Sequence, residues 1–191
     1  MPAPAEARAI TVKQPWAWAI AHGGKTVENR SRGTRHRGLL LIHAGLAWSD
    51  RGAHDVRVTT AGVSKWPVSV PRRDDTRPPG ESREAIAAAL ARTGLKPEFY
   101  SGGGWSRGAV IAVAQLVDSH PDAGCCRPWG ESSYTEAGGR TRTDVHHLVL
   151  EHVDALVTPV PASGALGLWR PDAQLLTTVL DSDVVSGQVA R

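Results

Sequence analysis

The sequence predicts an α+β protein in which a small β-barrel carries flanking helices. Strand-length apolar segments outnumber helical ones, one short helix comes early, and another lies in the middle of the chain. Short strands at such spacings are typical of small barrels with helices packed on them. A chain of 191 residues can bury its own core, so we expect a single domain over residues 1–191.

The predicted strands are segments of strand length that are continuously apolar or alternate between apolar and polar residues. An alternating strand packs one face against a core, whereas a continuously apolar strand is buried on both faces. The segments that qualify are residues 9–13, 39–44, 108–117, 146–153 and 164–169.

The predicted helices are placed by their end signals. Pro15 suits a first helical turn because its missing N–H needs no partner there, and Gly23 follows the last turn. These signals predict a short helix over 15–22. The Ala-rich segment 81–93 has early Glu residues and a following Gly, which predicts a second helix. We expect a last short helix near QLLTTVL, in a tail that starts at residue 171.

The segment 49–100 interrupts this pattern and looks like an insertion. Residues 49–80 combine Pro, Asp, Arg and Gly with little periodicity, which favours a long, mobile loop before the helix. Its arginines could extend a nucleic-acid path, but neighbouring aspartates offset them. A solvated loop is therefore the preferred interpretation.

Charge and composition narrow the possible functions. Residues 1–70 carry 10 basic and 4 acidic side chains, which points to an anionic partner, although coding bias also gives Arg-rich chains. No apolar run approaches the roughly 18 residues of a membrane span, and the N-terminus lacks signal-peptide features. The 2 cysteines are adjacent and so make a poor structural disulfide, which fits a reducing compartment. We expect a cytoplasmic protein without a membrane partner.

Long, ordered motifs connect the predicted elements. They are VKQPWAWAIAHGGKTVENR at 12–30, RHRGLLLIHAG at 35–45, GAVIAVAQLVDS at 108–119 and HHLVLEHVDALVTPVPASGALGLW at 146–169. Together they resemble the ASCH domain, a relative of the PUA fold. The resemblance implies a PUA-like β-barrel with flanking helices and a cleft beside the early helix. It also implies binding of RNA or of modified or free nucleosides, and some small members look like hydrolases of acylated cytidine.

Polar side chains of the first motifs are the candidates for binding nucleic acid. Gln14 and Asn29 each combine a donor with an acceptor, as the edge of a base requires. Cations suit backbone phosphates, and Arg contacts them with two hydrogen bonds. The predicted phosphate contacts are Lys13, Arg30, Arg35 and Arg37. We therefore expect a nucleic-acid-binding module for RNA, single-stranded DNA or a modified nucleotide.

Aromatic side chains are the candidates for stacking on a base. Trp16 shares a helix face with Ile20 and is expected in the core. Trp18 faces elsewhere and is the better stacking platform, with Trp129 as a second. His43 follows a buried strand and either contacts a base or phosphate, or is a satisfied histidine at the barrel mouth.

A hydrolase is the alternative function. The resemblance to acylated-cytidine hydrolases implies that the Lys of a G-K-T motif activates a Thr three residues later. This chain has the lysine, Lys25, but Glu28 stands in place of that nucleophile. A carboxylate can instead act as a general base toward water, so Lys25 and Glu28 are the candidate proton-transfer groups. Glu28 and Arg30 are equally suited to a structural ion pair.

We expect neither a cofactor nor a metal. No spacing of His and Cys matches a zinc signature, and Cys125, Cys126 and His120 form only a weak pattern. A module that binds a small ligand or a protein, and never nucleic acid, also stays open at this point.

Overall fold

The computed structural model describes residues 6–60, 106–135 and 139–185. Its strands are β1 (Arg8–Gln14), β2 (Val27–Arg30), β3 (Gly38–Trp48), β4 (Ala109–Pro121), β5 (Tyr134–Thr135), β6 (Thr141–Arg142), β7 (His146–Pro161), β8 (Leu168–Trp169) and β9 (Val184–Val185). Its helices are α1 (Trp16–His22), α2 (Asp50–Ala53), α3 (Val56–Thr60) and α4 (Ala173–Leu180). Among these residues, no helix has the length and apolar character to cross a membrane.

One curled sheet contains most of the strands, in the order β2-β7-β4-β3-β1-β8, and β9 pairs with β7. β1 and β3 run parallel, and the other neighbours are antiparallel. Arg30, on the edge strand β2, donates from Nη2 to the backbone oxygen of Thr11 on β1 at 2.6 Å. This contact brings two strands that are distant in the sheet order close together, so the sheet forms a half-barrel. The predicted α+β class with a small barrel is confirmed.

Two hydrophobic cores lie on opposite faces of the sheet, because successive strand residues point to opposite sides. On β1, Ile10 and Val12 pack with α1 in the larger core, whereas Ala9 belongs to the smaller one. The smaller core includes the buried Val179 of α4, the short helix that the sequence predicted in the tail. The connection from α1 to β2 borders the larger core, and the candidate site lies there.

The strands β3, β4 and β7 run past their predicted ends at residues 44, 117 and 153. Within β7, His152 adopts a left-handed backbone with φ 48°, and the pairing of β4 with β7 changes register beside it. This irregularity breaks the alternation of apolar and polar residues. The sequence pattern therefore ends there, although the strand continues.

The predicted loop 49–80 begins with two short helices, α2 and α3, rather than with irregular chain. Ser49 caps α2 by accepting a hydrogen bond from the Gly52 N–H, and Trp16 Nε1 donates to the same hydroxyl at 3.1 Å. A Cβ at Gly52 would lie 2.8 Å from the Trp16 ring. The start of the insertion is therefore docked on α1. The predicted helix 81–93 lies outside the described residues.

Candidate nucleic-acid interface

Lys25 and Glu28 form a buried ion pair where α1 leads into β2. Lys25 Nζ lies 3.0 Å from Glu28 Oε2, and the two side chains are only 3% and 12% exposed. Gly24 has a left-handed backbone with φ 68°, which favours glycine. The turn returns the Lys25 N–H to the backbone oxygen of Ala19 at 2.9 Å. The Gly-Gly-Lys sequence thus ends the helix and directs the lysine inward, where it also donates to the Val27 carbonyl.

Burial and pairing act on these two groups in different directions. Burial lowers the pKa of Lys25, although the neighbouring Glu28 carboxylate opposes the shift. Burial alone would raise the pKa of Glu28, but Lys25 and Arg30 outweigh it and hold that pKa below its usual value. Glu28 is therefore ionised at neutral pH, between two cations.

Arg30 connects the buried pair to the surface. Its Nε lies 3.1 Å from Glu28 Oε1, and its side chain is 29% exposed. Glu28 and Arg30 are two residues apart on β2, so both side chains point to the same face. The predicted ion pair between Glu28 and Arg30 is present, and Lys25 extends it to three charges.

A second charged network faces the first across Trp16. Arg51 of α2 donates from Nη1 to both carboxylate oxygens of Glu131, each at 2.8 Å. Arg57 of α3 donates to Glu131 Oε1 at 2.7 Å and also pairs with Asp55. The Arg51 guanidinium lies 4.9 Å from the centre of the Trp16 ring, a distance typical of cation–π contacts.

A small cavity of about 40 Å³ lies between the two networks. Its walls come from the α1–β2 region, α2 and the loop before β5: Trp16, Lys25, Glu28, Asn29, Arg51 and Glu131. A volume of this size accommodates water-sized groups rather than a nucleobase. On this wall, the Arg51 side chain is 38% exposed, so it can meet a ligand from the solvent side.

The two amides that were expected to read a base serve the fold instead. Gln14 is fully buried, donates to the backbone oxygen of Ser106 at 3.0 Å and accepts from the Trp18 N–H at 3.0 Å. Asn29 donates to the backbone oxygen of Trp129 at 2.9 Å and accepts from the Glu131 N–H at 3.1 Å. Since both groups of each amide are engaged, neither is available for a base edge in this conformation.

The aromatic candidates are also buried. Trp18 and Trp129 belong to the larger core, with 5% and 7% exposure, so neither presents a face for stacking. Trp16, which was expected in the core, does pack there and also lines the cavity. His43 lies on the other face of the sheet, where it contacts the Ala162 carbonyl at 3.0 Å and the Trp169 ring. One ring nitrogen, Nε2, is thus partnered whereas the buried Nδ1 is not, and His43 lies away from the cavity.

The predicted phosphate contacts are mostly at the surface. Lys13 and Arg35 are exposed, and Arg30 is partly so. Arg37 is exposed as well, but it donates to Asp118 Oδ1 at 2.8 Å and to two backbone carbonyls of its own loop. The structure thus gathers Lys25, Glu28, Asn29 and Arg30 at the cavity and leaves Lys13, Arg35, Arg37 and His43 outside it.

Sequence reasoning missed Arg51, Arg57 and Glu131. The two arginines lie in a segment that was predicted to be a mobile loop, and Glu131 is 80 residues from Arg51 along the chain. No local spacing indicates such a contact. The one available signal is the Ser-Asp pair at 49–50, which is typical of a helix start.

A second cluster contains side chains that can bind a metal, contrary to the expectation from spacing. The donor atoms of His120, Cys125, Cys126 and His147 all lie within 4.8 Å of one another. The spacing gave only a weak pattern because the fourth residue, His147, is distant in sequence. It reaches the cluster since β4 and β7 pair with His120 directly opposite His147.

The fold and this site define the class of protein as an α+β half-barrel with a cluster of buried charges at the α1–β2 turn. Residues 10–90 match the family model of the ASCH domain, which identifies this part of the chain as an ASCH domain and confirms the resemblance seen in the motifs. The ASCH domain is PUA-like and is generally associated with RNA binding. No curated protein matches the chain.

Proposed function

We propose that this chain is a cytoplasmic module that binds RNA or single-stranded DNA along a path from the loop 31–37 past Arg30 to the cavity. The observation that carries the proposal is the position of Arg30, which pairs with buried Glu28 and begins a basic segment. Residues 30–37 include four arginines and no acidic residue. Such a surface attracts phosphates, which supply most of the affinity of non-specific binding.

Lys13 extends this path along β1. Arg30 reaches the backbone oxygen of Thr11, and Lys13 lies two residues further on the same strand face. Lys13 is exposed, and two residues of strand span about 6.6 Å, so we expect this lysine to extend the basic path beyond the Arg30 contact. The residues that we expect to contact phosphates are Arg30, Lys13 and Arg35. At the cavity, we expect Arg51 to contact the bound nucleic acid.

The test is fluorescence anisotropy with labelled single-stranded RNA and DNA over a series of salt concentrations. In the double variant Lys13→Ala/Arg35→Ala, both substituted side chains are exposed, so the fold should be retained. We expect weaker binding, and a salt slope that is less steep by about 0.7 for each lost phosphate contact. Arg170→Ala is the matched control, because Arg170 is also exposed but follows β8, at the other edge of the sheet.

Two results would overturn this proposal. One is no binding of either nucleic acid at low salt. The other is an equal loss of affinity in the Arg170→Ala control, since general charge rather than the path would then explain binding.

A hydrolase is the second candidate, and the specific observation in its favour is a buried lysine beside a carboxylate on the wall of a cavity. An efficient general base has a pKa near the working pH. The two cations beside Glu28 hold its pKa below the usual value, which makes it a weak base. This is why we place binding first.

Incubation with an N-acylcytidine and with labelled RNA tests the hydrolase function. Turnover that is lost in both Lys25→Met and Glu28→Gln would support it. No turnover by the native chain, or turnover that survives both substitutions, would reject the assigned roles. Thermal unfolding of each variant shows whether a loss of turnover is merely a loss of fold.

A further inference from the structure

The cluster of His120, Cys125, Cys126 and His147 has the dimensions of a tetrahedral metal site. Among these donors, His120 Nε2 lies 3.3 Å from Cys125 Sγ and 3.5 Å from Cys126 Sγ. Cys125 Sγ lies 3.7 Å from His147 Nδ1. Zinc binds sulfur at about 2.3 Å and imidazole nitrogen at about 2.0–2.1 Å, so ligands in a tetrahedron are separated by about 3.3–3.8 Å. These three separations agree with that geometry, and all four donor atoms lie within 4.8 Å of one another.

Hydrogen bonds outside the cluster orient both imidazole rings. His147 Nε2 lies 3.1 Å from the backbone oxygen of Glu131, and since a carbonyl only accepts, this nitrogen carries the proton. Its Nδ1 therefore presents a lone pair to Cys125. His120 Nδ1 lies 2.6 Å from Asp118 Oδ2, so its Nε2 is likewise free to bind a cation. A metal-bound histidine almost always donates its other N–H to such a carboxylate or carbonyl.

The backbone brings the adjacent cysteines to one point. Neighbouring side chains in an extended chain point apart, but Cys126 adopts a left-handed conformation with φ 62°. The loop then passes so close to the cluster that a Cβ at Gly130 would lie 2.7 Å from His147 Cε1 and 2.6 Å from the Cys125 backbone oxygen. Glycine is therefore required at this position if the loop is to keep its shape.

We propose that His120, Cys125, Cys126 and His147 bind one Zn²⁺ ion as a closed, structural Cys₂His₂ site. Four protein ligands leave no position for a substrate or a catalytic water. Two thiolates and two imidazoles suit zinc, because Mg²⁺ and Ca²⁺ prefer oxygen ligands. On binding, each cysteine thiol gives up its proton to solvent and forms a Zn–S bond.

Both cysteines are free in the structure, so no disulfide competes for their sulfur atoms. An ionised sulfur is the form that binds zinc.

The site links the sheet to the cavity. Its ligands come from the end of β4, the following loop and the start of β7, and that loop continues to Trp129 and Glu131. Zinc would therefore fix the loop that supplies Glu131 to the cavity wall. This role is separate from the proposed nucleic-acid binding, because the ion can bind whether or not the cavity meets a nucleic acid.

The experiment measures zinc directly on the full chain, prepared without a histidine tag and kept reduced. We expect one Zn²⁺ per chain by elemental analysis, retained against a weak chelator. Titration of the metal-free chain with Co²⁺ should give the absorption of tetrahedral cobalt with thiolate-to-metal charge transfer. Zn²⁺ should also protect both cysteines from alkylation, as read by mass spectrometry.

Variants assign the ligands, with His152→Asn as the matched control on β7. Cys125→Ser, Cys126→Ser and His147→Asn should each lose stoichiometric zinc, whereas the control should keep it. Asp118→Asn, which alters a partner that His120 shares with Arg37 but removes no ligand, should weaken binding about 10–100-fold. If a ligand variant fails to fold, the cobalt spectrum and the alkylation pattern of the native chain still decide.

The proposal is overturned if the reduced native chain binds no Zn²⁺. It is also overturned if Co²⁺ binds without thiolate charge transfer, or if zinc leaves both cysteines open to alkylation. The proposal also fails if Cys125 and Cys126 form a disulfide in the freshly purified chain and the chain still takes up no Zn²⁺ once that disulfide has been reduced.

Discussion

The backbone N–H of Glu131 donates to the side-chain oxygen of Asn29 at 3.1 Å, which joins β2 to a loop 102 residues further along the chain. The same amide donates in the other direction to the Trp129 carbonyl. One side chain thus fixes the loop that carries Glu131 and sets the position of a carboxylate that two arginines share. This connection therefore joins the Asn29 and Glu131 sides of the cavity wall.

Asn29→Ala should destabilise the fold by about 1–3 kcal/mol, because it leaves a backbone N–H and a carbonyl without their partners. Urea unfolding measures the effect. Lys13→Ala is the control, since that side chain is exposed and its removal should change stability by no more than about 0.5 kcal/mol. Equal stability of the two variants would show that the loop is held by other contacts.

The buried charges make an asymmetric prediction. Glu28→Gln leaves Lys25 buried without its partner, which should cost about 3–5 kcal/mol in unfolding free energy. Lys25→Met should cost less, because Glu28 keeps Arg30 at 3.1 Å and a methionine fits beside the Trp16 ring. Chemical denaturation of the two variants tests this order. A larger loss in Lys25→Met would mean that Arg30 does not neutralise Glu28.

Acid should weaken the fold through Glu28. Its pKa in the folded chain is held below its usual value by Lys25 and Arg30 against the effect of burial. The unfolded chain therefore binds a proton first as the pH falls, and the stability that this group contributes is present above the unfolded pKa of about 4.3. It is lost as the pH falls through the folded pKa. Unfolding curves between neutral and acid pH should show this loss.

Glu28→Gln is the comparison for the acid experiment. A glutamine does not titrate in this range, so part of the acid dependence should be missing in that variant. If the native and variant curves change in parallel with pH, other carboxyls such as Asp55, whose pKa is lowered first by its hydrogen bond with Arg57, account for the effect.

Gly52→Ala tests the docking of α2 on α1. The added Cβ would lie 2.8 Å from the Trp16 ring and 3.0 Å from Pro15 Cδ, so the helix must shift. Such overpacking costs about 1–3 kcal/mol, and it should also displace Arg51, the preceding residue in α2. Urea unfolding measures the cost, with Ala53→Ser as a neighbouring substitution. An undiminished stability would contradict the close contact.

The barrel was predictable because its strands carry a local pattern. Continuous or alternating apolar residues indicated β1, β3, β4 and the first half of β7, and a proline with two glycines marked the ends of α1. The second half of β7 was missed because the left-handed backbone of His152 interrupts the alternation. Local pattern identifies a strand only as far as the strand remains regular.

The site was predictable only in part, since contact between distant residues has no local pattern. The G-K-T-V-E-N-R motif located Lys25, Glu28, Asn29 and Arg30, all of which line the cavity or adjoin it. The roles of Gln14 and Trp18 could not be judged from the sequence. Gln14 donates to the backbone of Ser106, which is distant in the chain, and Trp18 is buried by packing in the larger core. The pairing of β4 with β7, which brings His147 to Cys125, is likewise a property of the register.

The contact from Arg30 to Thr11 has a consequence for how the molecule behaves at high concentration. An unpaired strand edge offers backbone groups to another chain and so promotes aggregation. β2 spans only Val27–Arg30 and carries the charged residues Glu28 and Arg30. The Arg30 side chain extends from this edge strand to the Thr11 backbone on β1. An edge strand that is short, charged and connected to β1 offers few free backbone groups to a strand of another chain. We therefore expect Arg30, which pairs with Glu28, also to disfavour aggregation through this edge.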